Sequence, residues 1–141
     1  VAKTQSTQLI PATRLTPTLR AARGQSVAVA AFLTSPRCPW CVALQQEQIE
    51  PRQRTDHPIK LWIIEFNVDD TTEFTLPDNR RRSARQWGES LGLNLTPTIA
   101  MLDQTAKPLL PPLKGYSSRD FYAAYLEDQI TAAAKYWQNL R

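Results

Sequence analysis

The chain has 141 residues, 42% of them hydrophobic and 21% charged, which suits one globular domain with its own core and excludes a disordered or fibrous class. The formal charge of +4 lies largely in Arg80, Arg81, Arg82 and Arg85; it suits acidic partners or a membrane surface, but no nucleic-acid motif and no interleaving of aromatic with basic residues accompanies it, so nucleic acid is set aside. No apolar run approaches the roughly 18–20 residues needed to cross a bilayer, and a chain that opens on Val1 with Met101 as its one methionine reads as a processed or truncated product, from which a secretory leader or anchor has been removed or a boundary chosen.

Residues 1–13 are polar, rich in Thr and Gln and interrupted by Pro11; with residue 14 they read as a flexible lead-in to a domain spanning 15–141. A short helix is predicted over 15–23, with Thr16 as cap, Pro17 at the first helical position and Gly24 as its end. The run VAVAAFL, 27–33, is continuous and apolar, the pattern of a strand covered on both faces. A turn, Thr34-Ser35-Pro36-Arg37, leads to a helix expected over 39–49, which should stop before Pro51 because proline disfavours helical geometry in its predecessor. IKLWIIEFNV, 59–68, is rich in β-branched and aromatic residues and reads as the second strong strand. A polar loop, 69–79, is long for a compact domain and is either functional or a surface insertion.

Helical character returns over 80–91 and ends at Gly92. A third strand is predicted at TIAML, 98–102, and a fourth over 109–114, confined by its prolines to an edge. Ser117 or Ser118 caps a last helix, 119–139, in which Phe121, Tyr122, Tyr125, Leu126, Ile130 and Ala133 recur at helical spacing. Trp62 and Trp87 read as core, and Tyr136 and Trp137 as cover for the sheet edge. The order α, β, α, β, α, β, β, α predicts an α/β fold: a central mixed sheet of about four to five strands with helices on both faces.

The only two cysteines stand in Cys38-Pro39-Trp40-Cys41, after a predicted strand and at the opening of a predicted helix. There the first helical turn can bring the sulfurs together, and the first sulfur meets unpaired N–H groups and the positive end of the macrodipole. That environment favours a thiolate, the species that attacks disulfides. Cys38 is therefore the candidate nucleophile, and Cys41, one turn further in, the candidate resolving thiol. Arg37 adds positive charge beside Cys38. Trp40 either offers an apolar face to a substrate peptide or packs on the lip of the site.

With Thr96-Pro97-Thr98 opening the third strand and Gly115 before the final helix, these residues make the chain resemble the thioredoxin-like superfamily over roughly 15–139. Within it the chain looks most like secreted bacterial proteins of the SoxW kind, given the polar insertion after FNVDD. The resemblance implies a thioredoxin-like fold and a thiol-disulfide oxidoreductase, reducing rather than oxidising because the large helical insertion of dedicated oxidases is missing. It also implies a cis Pro97 against the disulfide and a Thr96 backbone that pairs with substrate. Two departures stand out: Arg37 and the Pro39-Trp40 dipeptide alter the motif, and Phe32 falls where relatives carry a buried aspartate. Glu65 on the neighbouring strand either substitutes as proton acceptor for Cys41 or faces solvent.

No cofactor beyond the Cys38-Cys41 disulfide is expected. Val42 stands where haem attachment needs histidine, and Cys38, Cys41 and His57 fall short of the four ligands of a zinc site within one chain. Expected partners are protein thiols and disulfides and an upstream thiol electron donor, free or membrane-bound. A monomer is expected, in the bacterial periplasm or another exported location, with the cytoplasm as alternative. The rival readings are a thioredoxin-like protein-binding module, a disulfide oxidase or isomerase, and a purely structural disulfide.

Overall fold

A computed structural model describes residues 9–141; the first part of the expected lead-in, 1–8, lies outside the described residues. In chain order come β1 (Leu9–Pro11), a 3-10 turn (Ala12–Arg14), α1 (Leu15–Ala22), β2 (Val27–Thr34), α2 (Pro39–Leu44), a π-turn (Gln45–Ile49) and α3 (Glu50–Arg54). There follow β3 (Lys60–Asn67), β4 (Phe74–Thr75), β5 (Arg81–Arg82), α4 (Ala84–Ser90), β6 (Thr98–Met101), β7 (Leu113–Lys114) and α5 (Arg119–Gln138).

The apolar run of β2 is buried at all eight positions, as a strand covered on both faces must be. It lies at the centre of a five-stranded sheet ordered β1-β3-β2-β6-β7. β3 runs parallel to β2 and to β1, β6 runs antiparallel to β2, and β7 antiparallel to β6. Alternation along β2 divides the core in two. Val29, Ala31 and Leu33 join Leu15 and Leu19 of α1 and Trp87 of α4 on one face. On the other, Ala28, Ala30 and Phe32 join Cys41, Leu44 and the Tyr122, Leu126 and Ile130 stripe of α5. Each large side chain so buried contributes about 1.5–3 kcal/mol.

Several expectations are corrected. Leu9–Pro11 is an edge strand paired with Ile63, Ile64 and Glu65, where a flexible lead-in was expected; Pro11 is tolerated because an edge strand needs fewer donors. Thr16 does not cap α1: the N-cap is Arg14, without a side-chain bond, and the Thr16 hydroxyl donates to the Thr75 carbonyl at 2.8 Å. The helix that begins at Pro39 does not stop before Pro51 but runs on to Arg54. The π-turn resets the ladder and places Pro51 in the first turn of α3, where its missing N–H costs nothing. The segment 69–79 is not simply a polar loop. β4 pairs with β5, and Phe74 and Leu76 enter the core, with Phe66 stacked on Trp87 at 4.4 Å and edge-on to Phe74 at 5.2 Å.

α4 starts at Ala84 rather than Arg80, because Ser83 and Gln86 form a reciprocal capping box. The last short strand narrows to Leu113–Lys114. In α5, Phe121 and Tyr125 are 67% and 60% exposed, since they lie one position off the buried stripe and so about 100° round the helix. Trp137 does not cover an edge; it is fully buried and its indole N–H donates to the Leu102 carbonyl at 3.1 Å.

Gly88 lies tight against its surroundings: a Cβ there would lie 2.6 Å from the Leu93 carbonyl oxygen and 2.9 Å from a Leu33 methyl. Gly88→Ala should therefore destabilise the fold by about 1–3 kcal/mol through overpacking, read as a lower urea midpoint at unchanged slope.

Candidate redox site

β2 ends at Thr34, a turn crosses Ser35 to Arg37, and Cys38 becomes the N-cap of α2. Its backbone is extended (φ −110°, ψ 102°), and its side chain does what a cap oxygen does elsewhere: the Cys41 N–H donates to Cys38 Sγ at 3.2 Å. Pro39 occupies the first helical turn, where no donor is lost. Cys38 and Cys41 are joined in a disulfide with Cα atoms 5.2 Å apart, inside the usual span for such a bridge. Cys38 is half-buried and faces a cleft, whereas Cys41 is buried in the core beneath α2. Reduction would leave a sulfur at the surface with an amide donor and a helix start behind it, which favours its thiolate.

The cleft, about 430 Å³, has Cys38 and Thr96 among its walls, with Ser35, Arg37, Asp69 and Arg85. The Thr96–Pro97 peptide is cis and Pro97 is buried. Gly115 N–H donates to the Pro97 carbonyl at 2.7 Å and the Thr98 hydroxyl to the Leu95 carbonyl at 2.6 Å, which fixes this turn. The Thr96 backbone N–H and C=O have no hydrogen bond among the described residues. Trp40, two residues after Cys38, is 62% exposed, and Leu95, next to Thr96, is also exposed.

Arg37 does lie beside Cys38, but its guanidinium is engaged: Nη2 reaches Asp69 Oδ1 at 3.1 Å and Nε reaches Oδ2 at 3.3 Å. Asp69 also accepts from the Ser35 hydroxyl at 2.5 Å and from Arg85 Nη2 at 3.5 Å. The hydrogen bond from Arg37, followed by that from Ser35, holds the Asp69 carboxyl below the usual carboxylate range. A carboxylate depressed in this way favours the folded state above that range, and the contribution fades as pH falls through its folded value. The sequence marks neither Ser35 nor Asp69 as a site residue, and Arg85 stands out in it only for its charge. The parallel pairing of β2 with β3 brings Ser35 and Asp69 together: Thr34 is in register with Asn67, so the residues following each strand emerge side by side at the carboxyl edge of the sheet.

Phe32 is fully buried, and Glu65 stands opposite it in register. Glu65 is half-buried, and its carboxylate has no hydrogen bond or ion pair among the described residues. His57 lies between α3 and β3 and is not a wall of the cleft.

In the reduced protein, Cys38 should be alkylated by iodoacetamide with a titration midpoint below the ~8.5 of a free cysteine, while buried Cys41 stays largely unmodified. Peptide mass spectrometry across a pH series reads both.

Comparison with known proteins agrees with this architecture. No curated protein matches the chain. Among solved structures, a thioredoxin from Nicotiana alata superposes with a TM-score of 0.61 at 11% identity, covering 92% of this chain and 99% of that one. A thioredoxin-fold protein from Helicobacter pylori gives 0.55 at 16% identity over 91% and 87%, and mitochondrial thioredoxin 3 from Saccharomyces cerevisiae in its oxidised form gives 0.55 at 12% over 85% and 94%. At such identities the likeness is one of fold. A thioredoxin-like fold carrying a Cys-x-x-Cys disulfide supports thiol-disulfide oxidoreductase chemistry in general. A family model for the thioredoxin-like domain matches residues 15–130, and the chain belongs to that family.

Proposed function

We propose that the protein is a thiol-disulfide reductase acting on protein disulfides, of the exported kind represented by SoxW-type proteins. The observation that carries this reading is the asymmetry of the sulfur pair: Cys38 Sγ receives an amide N–H and faces an open cleft, and Cys41 lies behind it in the core. In the reduced enzyme the Cys38 thiolate attacks one sulfur of a substrate disulfide, and the other sulfur leaves as a thiolate that takes up a proton. Cys41 then gives up its proton and attacks Cys38 Sγ, which closes the enzyme disulfide and frees the second substrate thiol. Two electrons pass from the dithiol to the substrate. A dithiol reductant, free or membrane-bound, must return them.

The Thr96 backbone, unbonded among the described residues, supports a docking role for an extended substrate strand, and exposed Trp40 supports an apolar contact beside it. Pro39 and Arg37 modulate the pair, and no cofactor beyond the disulfide enters the cycle. The insertion after β3 is a two-stranded hairpin rather than a helical domain, which supports reduction over dedicated oxidation. A monomer working in the periplasm or another exported space completes the reading.

Insulin reduction with dithiothreitol as donor tests it. Cys38→Ser should fall to the uncatalysed rate, and Cys41→Ser should accumulate a mixed disulfide between Cys38 and its client, visible on a non-reducing gel. Absence of activity in wild type, with partner capture retained in Cys38→Ser, would instead establish a binding module. Equilibration against glutathione should place the couple nearer the about −270 mV of thioredoxin than the about −120 mV of DsbA; a value at the oxidising end would reverse the direction.

A further inference from the structure

Three segments converge on Asp69 at the edge of the cleft, two of them on its carboxylate. The turn before α2 sends Ser35 and Arg37 to Asp69, α4 sends Arg85, and the Asn67 side chain at the end of β3 accepts from the Asp69 N–H at 2.9 Å. The Arg37 side chain is 82% exposed and that of Asp69 only 22%. The arginine thus reaches inward to a fixed anion rather than the anion outward to a mobile arginine. Ser35 ties the same anion to the nucleophile: its hydroxyl accepts from the Arg37 N–H at 3.2 Å and its carbonyl from the Cys38 N–H at 3.1 Å. The other charged residue on the walls of the cleft is Glu89 of α4; Asp70, next to Asp69, is turned to the Thr72 N–H.

We propose that Asp69 is a positioning residue for the nucleophile: by holding the Arg37 and Arg85 guanidiniums it withholds their charge from the Cys38 sulfur and so sets how readily Cys38 reacts. The inference rests on the reading of Cys38 as the attacking thiol. An arginine beside a thiol ordinarily favours the thiolate. Here the positive charge nearest in sequence is already spent on a carboxylate. Freed from it, the exposed Arg37 side chain, one residue before Cys38 and on the wall of the same cleft, can turn to the neighbouring sulfur. The pair works as a ready store of positive charge that an acidic group on a substrate, by competing for Arg37, would also redistribute.

The test is the pH profile of Cys38 alkylation in reduced protein, with circular dichroism as a control for folding. Asp69→Asn keeps the shape and removes the charge; the midpoint should fall by ~0.5 pH unit, about threefold more reaction at a pH below the midpoint. Arg37→Ala in that background should return it most of the way to wild type, whereas Arg37→Ala alone should move it much less. An unchanged or raised midpoint in Asp69→Asn overturns the proposal. So does an equal effect of Arg37→Ala in both backgrounds, which would mean simple addition of charge without positioning. If Asp69→Asn does not fold, the exposed pair Arg37→Ala with Arg85→Ala carries the test: the carboxylate is left uncompensated, the midpoint should rise, and a fixed midpoint refutes the idea. Alkylation needs no turnover. A responsive midpoint without insulin reduction would therefore sink the reductase reading and leave this one standing, and the reverse result would do the opposite.

Discussion

One hydrogen bond, from the Cys41 amide to the Cys38 sulfur, gathers the constraints on this fold. For it to form, a buried strand must end, a turn must follow within three residues, and a helix must begin with a sulfur in the capping position. β2 meets the first condition because both its faces are covered. Pro39 helps meet the last, since it supplies a helical φ and demands no acceptor. The redox pair is placed by the ordinary accounting of backbone donors at a helix start.

What lies behind the sulfurs is as consequential as what lies in front. Cys41 and Leu44 sit in the core shared with Tyr122, Leu126 and Ile130 of α5, so the resolving thiol is held by packing rather than by a polar cage. The π-turn that follows is pinned from outside: Gln48 donates to the Tyr116 hydroxyl at 3.0 Å, that hydroxyl donates to Glu47 at 2.7 Å, and Glu47 also pairs with Arg119 at 3.3 Å. The bulge that admits Pro51 is thereby stitched to the start of α5. Burial drives the Tyr122 phenol upward from its usual value.

Legible in the sequence were the apolar runs of β2 and β6, the β-branched and aromatic stretch of β3, the cysteine helix that follows β2, and α5 with its helically spaced apolar residues. Legibility failed where the decisive partner was distant. Leu9–Pro11 is too short to show a period and is a strand only because Ile63 and Ile64 lie alongside. Phe74 and Leu76 look like stray apolar residues in a polar stretch until Phe66 and Trp87 are seen to receive them. Cys38 and Cys41 declared themselves by spacing, but Asp69 did not, because a carboxylate among other acids carries no mark until Arg37 and Ser35 arrive from another strand end. Thr96 and Pro97 were legible through family resemblance alone.

The two ends of β2 point to different worlds. At its carboxyl end is the sulfur pair; at its amino end Gly24 N–H donates to the Trp137 carbonyl at 2.9 Å, and Arg23 bonds the Arg141 carbonyl. Eight residues of strand at about 3.3 Å each separate them by roughly 25 Å. A surface, an electrode or a fused carrier joined after Arg141 would sit on the far side of the molecule, leaving the thiols turned outward and free to meet whatever diffuses by.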